Sequence, residues 1–194
     1  WGINFPENPL VIANELDISE KSSRHNLNVN FTYEILKDLK FQARLGQQWY
    51  NYRYFYYRPM SIGRDGAPAY SSALSAYNVG RTTSVYDVDK LSEFTLDYKK
   101  DFGKSRINAL AGYTMQKKTY DRVGVEAKGF ANDRIHEVTA HGTNASDISL
   151  YSTRKAAWAL LSYFARLNWS YDGRYALTGT VRADGSSRFG VDNR

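Results

Sequence analysis

From Arg24 onward, oily and polar side chains take turns along the chain. His25, Leu27, Val29, Phe31, Tyr33 and Ile35 share one parity, and Arg24, Asn26, Asn28, Asn30, Thr32 and Glu34 share the other. A period of two is that of a β-strand with one apolar and one polar face. Leu36-Lys37-Asp38 reads as a tight turn, after which Leu39, Phe41, Ala43, Leu45 and Trp49 oppose Lys40, Gln42, Arg44 and Gln48. The pattern returns with Phe94, Leu96 and Tyr98 against Glu93, Thr95, Asp97 and Lys99. It turns at Asp101-Phe102-Gly103-Lys104 and resumes through Ile107, Ala109, Ala111, Tyr113 and Met115. A last pair of strands covers residues 157–171 and 175–183. There the odd positions are apolar or aromatic (Gly179 apart), and Phe164 is the exception among the polar positions between Ser162 and Asp172. Asp172-Gly173 between them suits the positive φ angles of a type I′ hairpin turn.

These elements predict an all-β chain of about six antiparallel, up-and-down strands in three hairpins, each strand about 10–13 residues long. Residues 1–22 read as a loop, and residues 54–87 and 118–154 as long irregular connections. Strands in soluble proteins have a mode near 5–6 residues, whereas about 9–11 residues cross a bilayer when tilted. Short turns on one edge and long loops on the other match outer-membrane barrels. Tyr33, Tyr98, Phe102, Trp169, Tyr171 and Tyr175 fall near the short turns, and Trp49, Tyr50, Tyr113 and Trp158 toward the opposite rim. Both are places where an interfacial girdle puts aromatic residues.

A segment of transmembrane β-barrel is therefore expected. A soluble carbohydrate-binding or adhesive β-sandwich, which also buries one face of each sheet, is the alternative; a multi-chain barrel of a surface adhesin is a third reading. Single-chain bacterial barrels start at about 8 strands, and an open edge in hydrocarbon leaves unsatisfied backbone groups at several kcal/mol each. Further strands are expected from a longer polypeptide. Trp1-Gly2-Ile3-Asn4 opens as if within one, so the chain is read as an excerpt.

Composition narrows the rest. With 194 residues, 42% of them apolar, 16 tyrosines and a mean hydropathy of −0.57, no run approaches the length of a spanning helix. Zero cysteines remove disulfides, thiolate metal sites and cysteine nucleophiles. A net charge of +6 permits anionic partners. The basic residues are spread out, however, and read as solvated strand faces and loops rather than a nucleic-acid site.

Residues 163–190, YFARLNWSYDGRYALTGTVRADGSSRFG, resemble the hairpin and following segment of SusC/RagA-type TonB-dependent outer-membrane transporters. The matching positions are Tyr163, Phe164, Arg166, Asn168, Tyr171, Tyr175, Leu177 and Thr178, then Arg182, Asp184, Gly185, Ser186, Ser187, Arg188, Phe189 and Gly190. Ala165 stands where the family usually has glycine. Asn8-Pro9-Leu10 and Tyr56-Tyr57-Arg58-Pro59 are weaker echoes. The resemblance implies an outer-membrane barrel of about 22 strands with a plug, energised through the TonB complex and lidded by a SusD-like surface lipoprotein. The imported ligands would be oligosaccharides or peptides. Residues 1–194 would all belong to the barrel domain, with the plug and TonB box outside them. Lipid and lipopolysaccharide would surround it, and no cofactor is implied.

Two groups are candidate ligand contacts. Trp49, Tyr50, Tyr52, Tyr54 and Tyr56 offer flat faces and hydroxyls suited to sugar rings, and by continued parity the even-numbered tyrosines face the polar side. Girdle and loop packing is the plainer account of them. Arg182, Asp184 and Arg188 would touch ligand, or else pair with one another or with plug and loops. Gly185 and Gly190 read as permitting backbone bends. His136-Glu137 with His141 lacks the spacing of a zinc helix, and the serines at 186 and 187 fit no nucleophile elbow. The chain is read as non-enzymatic.

Overall fold

The structure is a computed structural model, and it describes residues 9–62, 78–138 and 148–189. A short helix α1 (Pro9–Glu15) precedes six strands: β1 (Asp17–Leu36), β2 (Leu39–Arg58), β3 (Val79–Phe102), β4 (Ser105–Lys128), β5 (Ile148–Tyr171) and β6 (Tyr175–Ser186). They form one six-stranded sheet in the order β1-β2-β3-β4-β5-β6. The three hairpins and the up-and-down order follow the alternation pattern.

Two expectations are corrected. Residues 1–22 are not simply a loop: α1 starts on Pro9, whose fixed φ suits a first helical position, and β1 begins at Asp17. The strands are also longer than the alternation suggested. The 20-residue β2 and the 24-residue β3, β4 and β5 run well into the segments 54–87 and 118–154. A backbone ladder needs only paired N–H and C=O groups. It continues where both faces carry polar side chains and the oily alternation has stopped.

The described residues fall into two compact units. One lies within Trp1–Ser23, Tyr50–Tyr86 and Tyr120–Lys155 and holds the long connections. The other lies within Arg24–Trp49, Asp87–Thr119 and Ala156–Arg194 and holds the short turns.

In the turn unit, Asp172 and Gly173 take φ angles of 50° and 65°, as a type I′ turn requires, and Arg174 N–H closes it on the Tyr171 carbonyl at 3.0 Å. Arg174 is a third loop residue beyond this turn, and the strands pair with Tyr171 opposite Tyr175, Tyr163 opposite Ala183 and Ser162 opposite Asp184. Neighbouring turns are tied together. Lys99 N–H donates to the Asp38 carbonyl at 2.9 Å, and Lys100 Nζ meets the Asp38 carboxylate at 3.2 Å. Asp172 N–H donates to the Lys104 carbonyl at 2.8 Å, and Lys104 Nζ meets the Asp172 carboxylate at 3.2 Å.

The apolar face of this unit carries a row of rings from four successive strands. Phe41 and Phe94 are 6.3 Å apart, Phe94 and Tyr113 6.2 Å, and Tyr113 and Tyr163 5.2 Å. Beside it lies a shallow apolar groove of about 550 Å³ over Ala109, Ala111, Ala165 and Gly179, edged by Leu96 and Val181. Among the described residues no second layer covers this face. Phe31, Leu177 and Val181 are 54%, 63% and 66% exposed.

The opposite, polar face has a groove of about 430 Å³ that includes Asn28, Asn30, Gln42 and Arg44. Arg44 pairs with Glu93 at 3.3 Å, and Lys118 with Asp87 at 3.1 Å. Phe164, the exception in the alternation, lies on this polar face over Gly112, where a Cβ would overlap its ring.

Candidate functional site

In the connection unit, β2 carries its tyrosines into the region beyond the oily alternation. Tyr50 and Tyr52 stack at 6.5 Å with planes 14° apart. Burial raises the pKa of Tyr52 and Tyr54 above the ordinary phenol value, and the carboxylate of Glu20 on β1 adds to it. Both hydroxyls are therefore neutral donors across the physiological range.

Next to them, the Arg81 guanidinium lies 5.3 Å from the centre of the Tyr56 ring and 5.8 Å from that of Tyr151. This is cation–π range for each ring. The same guanidinium donates through Nε to Glu126 at 2.5 Å, and Lys128 reaches the other oxygen of Glu126 at 3.1 Å. Burial works against the charged form of Glu126. The hydrogen bonds and charges of Arg81 and Lys128 outweigh it and hold the carboxyl below its usual range. Tyr151 and Thr83 share a hydroxyl–hydroxyl bond. The surface so formed offers aromatic faces, neutral phenol hydroxyls and a fixed guanidinium, a set suited to sugar rings or to a peptide.

A buried hub anchors the unit. Tyr57, 0% exposed, packs edge-on to Phe130 at 5.2 Å and face to face with His136 at 4.1 Å. Its hydroxyl donates to Asp133 Oδ1 at 2.9 Å, and Asp133 Oδ2 accepts Met60 N–H at 3.0 Å. Asn78 exchanges two bonds with the backbone of Phe130, each 2.9 Å, in the manner of one more strand residue. His136 meets Asp17 at 3.0 Å and the Asp133 carbonyl at 2.9 Å. His141 lies outside the described residues, and among those described no cluster suits a metal.

The second candidate group lies in the turn unit and divides in two. Arg182 Nε donates to Asp184 at 2.8 Å, and its Nη2 reaches the hydroxyl of the buried Ser162 at 3.3 Å. Arg188 belongs elsewhere: its guanidinium lies 5.1 Å from the centre of the Trp158 ring. Gly185 pairs with Leu161 inside β6 and has no positive φ, so it marks no left-handed bend there; Gly190 lies outside the described residues. Trp49, at the end of the segment Arg24–Trp49, is half-buried.

The sequence reading missed Glu20, Arg81, Thr83, Glu126 and Tyr151. All five sit in segments read as loop or irregular connection, Glu20 in 1–22, Arg81 and Thr83 in 54–87, and Glu126 and Tyr151 in 118–154, yet the alternate spacing of Arg81 and Thr83 was a usable signal once β3 is extended to Val79.

No protein-family model matches the chain. Individual proteins do. The chain is 29% identical over 189 residues to TonB-dependent receptor P3 of Formosa agariphila, covering 97% of this chain and 18% of that protein. It is 29% identical over 195 residues to TonB-dependent receptor SusC of Bacteroides thetaiotaomicron, covering 98% and 18%. A solved structure of the RagAB peptide transporter superposes with a TM-score of 0.83 at 28% identity, covering 95% of this chain and 20% of that one. The chain matches TonB-dependent receptors of the SusC/RagA type. It spans about a fifth of the length of these relatives. The sheet has the antiparallel up-and-down order of a barrel segment from such a receptor.

Proposed function

We propose that this chain is a wall segment of an outer-membrane, TonB-dependent importer whose ligand is an oligosaccharide or a peptide. The observation that carries this is the sheet's two unlike faces: an uncovered apolar face with a row of rings, backed by a face of amides and ion pairs. An exposed oily face of this extent suits acyl chains, and a polar one suits a water-filled lumen. A soluble sandwich would cover the apolar side with a second sheet.

On this reading the short turns are periplasmic and the long connections within 54–87 and 118–154 are extracellular. Tyr50, Tyr52, Tyr54 and Tyr56, with Arg81, contribute to ligand capture, as do the lumenal Arg182 and Asp184; Trp49, which shares the apolar parity of Phe41, belongs to the aromatic girdle instead, and Arg188, held by Trp158, stands at the rim. A SusD-like lipoprotein would lid the mouth, and the TonB complex would act through a plug supplied by the rest of the receptor. The residues here bind and orient; they perform no catalysis.

The full-length receptor, purified with its lipoprotein, is to be titrated with an oligosaccharide panel and a peptide panel. Saturable binding in one panel, weakened by Tyr52→Ala with Tyr54→Ala, is expected. A folded complex that binds neither panel overturns the importer assignment.

A further inference from the structure

Away from the turns, where Lys100 meets Asp38, the basic residues of β3 and β4 divide by face. On the polar face Lys118 is paired with Asp87 at 3.1 Å and Arg44 with Glu93 at 3.3 Å, and Gln116 holds Asp89 at 3.0 Å. On the apolar face Lys90 and Lys117 are exposed, and neither carries an ion pair among the described residues. The sequence explains the difference. Every carboxylate of β3, namely Asp87, Asp89, Glu93, Asp97 and Asp101, stands at an odd position, across the sheet from Lys90. Residues 39–49 of β2, 105–119 of β4 and 156–171 of β5 contain no Asp or Glu at all.

The two cations are neighbours. The two-residue turn between Phe102 and Ser105, with the pairs Phe94–Tyr113 and Arg81–Glu126 on either side, sets Lys117 directly opposite Lys90, about 4.5–5.5 Å between Cβ atoms by strand geometry. They also share a height. Each stands a little beyond the roughly 9–11 residues that cross hydrocarbon, counted from the turn at Gly103. Below them on the same face come Phe94, Tyr113 and Met115. An oily belt that ends in paired lysines without carboxylates matches an amphiphile with acyl chains and an anionic head.

We propose that Lys90 and Lys117 are a docking point for the phosphate of an outer-leaflet glycolipid. This rests on the reading that the apolar face meets acyl chains. The two ammonium groups bracket one phosphate, while the acyl chains lie along the row of rings. Charge complementarity favours this occupant over a protein partner, whose carboxylates would come without the oily continuation.

The test uses the full-length receptor with its lipoprotein, extracted in mild detergent, with co-purified phosphorylated glycolipid measured by mass spectrometry. Lys90→Gln with Lys117→Gln should lower retained glycolipid about tenfold, while Lys118→Gln on the polar face should leave it unchanged. Lys90→Arg with Lys117→Arg should restore it. If the double glutamine variant does not fold, Lys117→Gln alone should show about a threefold loss. Unchanged retention in a folded variant, or equal retention of a dephosphorylated glycolipid by the wild type, overturns the docking point and leaves the membrane reading standing. A wild-type receptor recovered in the soluble fraction overturns both.

Discussion

The ring of Phe164 lies over Gly112, filling the space that any side chain at position 112 would need. The alternation marked Phe164 as an apolar residue on a polar face; its partner on the next strand explains it. An aromatic ring laid over a glycine covers backbone that would otherwise be open to water, and it pins the β4–β5 register.

Gly112→Ala should therefore destabilise the barrel by about 1–3 kcal/mol through overpacking. Phe164→Leu, which makes room, should recover part of the loss in the double variant. Denaturant unfolding of the reconstituted receptor measures both, and additive losses would show that the two positions are not coupled.

Tyr57→Phe keeps the stacked ring and removes the hydroxyl that Asp133 accepts at 2.9 Å. Losing that bond from a buried site costs about 1–3 kcal/mol, so protease should cut residues 129–138 sooner in the variant. Burial, and then Asp133, hold the Tyr57 phenol above its ordinary value of 10.0. A raised value means that the stabilising contribution is whole below pH 10 and is lost as the pH climbs beyond it. Wild type should loosen there, and Tyr57→Phe should show less of this alkaline dependence.

Glu126 gives the opposite sign. Its carboxyl is held below the reference value of 4.5 by Arg81 and Lys128, against the effect of burial. The clamp is present above that value and is lost as the pH falls through the lower folded-state value. Hydrogen exchange in β4 should rise on acidification in wild type, whereas Glu126→Gln should be exchange-prone already at neutral pH and nearly flat below it.

Tyr52→Ala with Tyr54→Ala should weaken ligand binding by about tenfold, roughly 1.4 kcal/mol, with heat-modifiable migration of the barrel intact. Isothermal titration on the full-length complex checks it. Unchanged affinity would assign these rings to packing.

Strand number, hairpin order, the type I′ turn at Asp172-Gly173 and the apolar face were all legible from residues 24–49, 93–115 and 157–183. Each depends on nearest neighbours along the chain: a two-residue period, or a turn that only certain residues accept. Strand ends were not legible. Beyond the oily belt both faces of β2, β3, β4 and β5 are polar or mixed, so side-chain pattern stops reporting on backbone pairing, and only the neighbouring strand decides how far the ladder runs. The partners of Arg81, the hub around Tyr57 and the seat of Phe164 on Gly112 join residues remote in sequence. Their chemistry was visible in the letters, but their meeting required the fold.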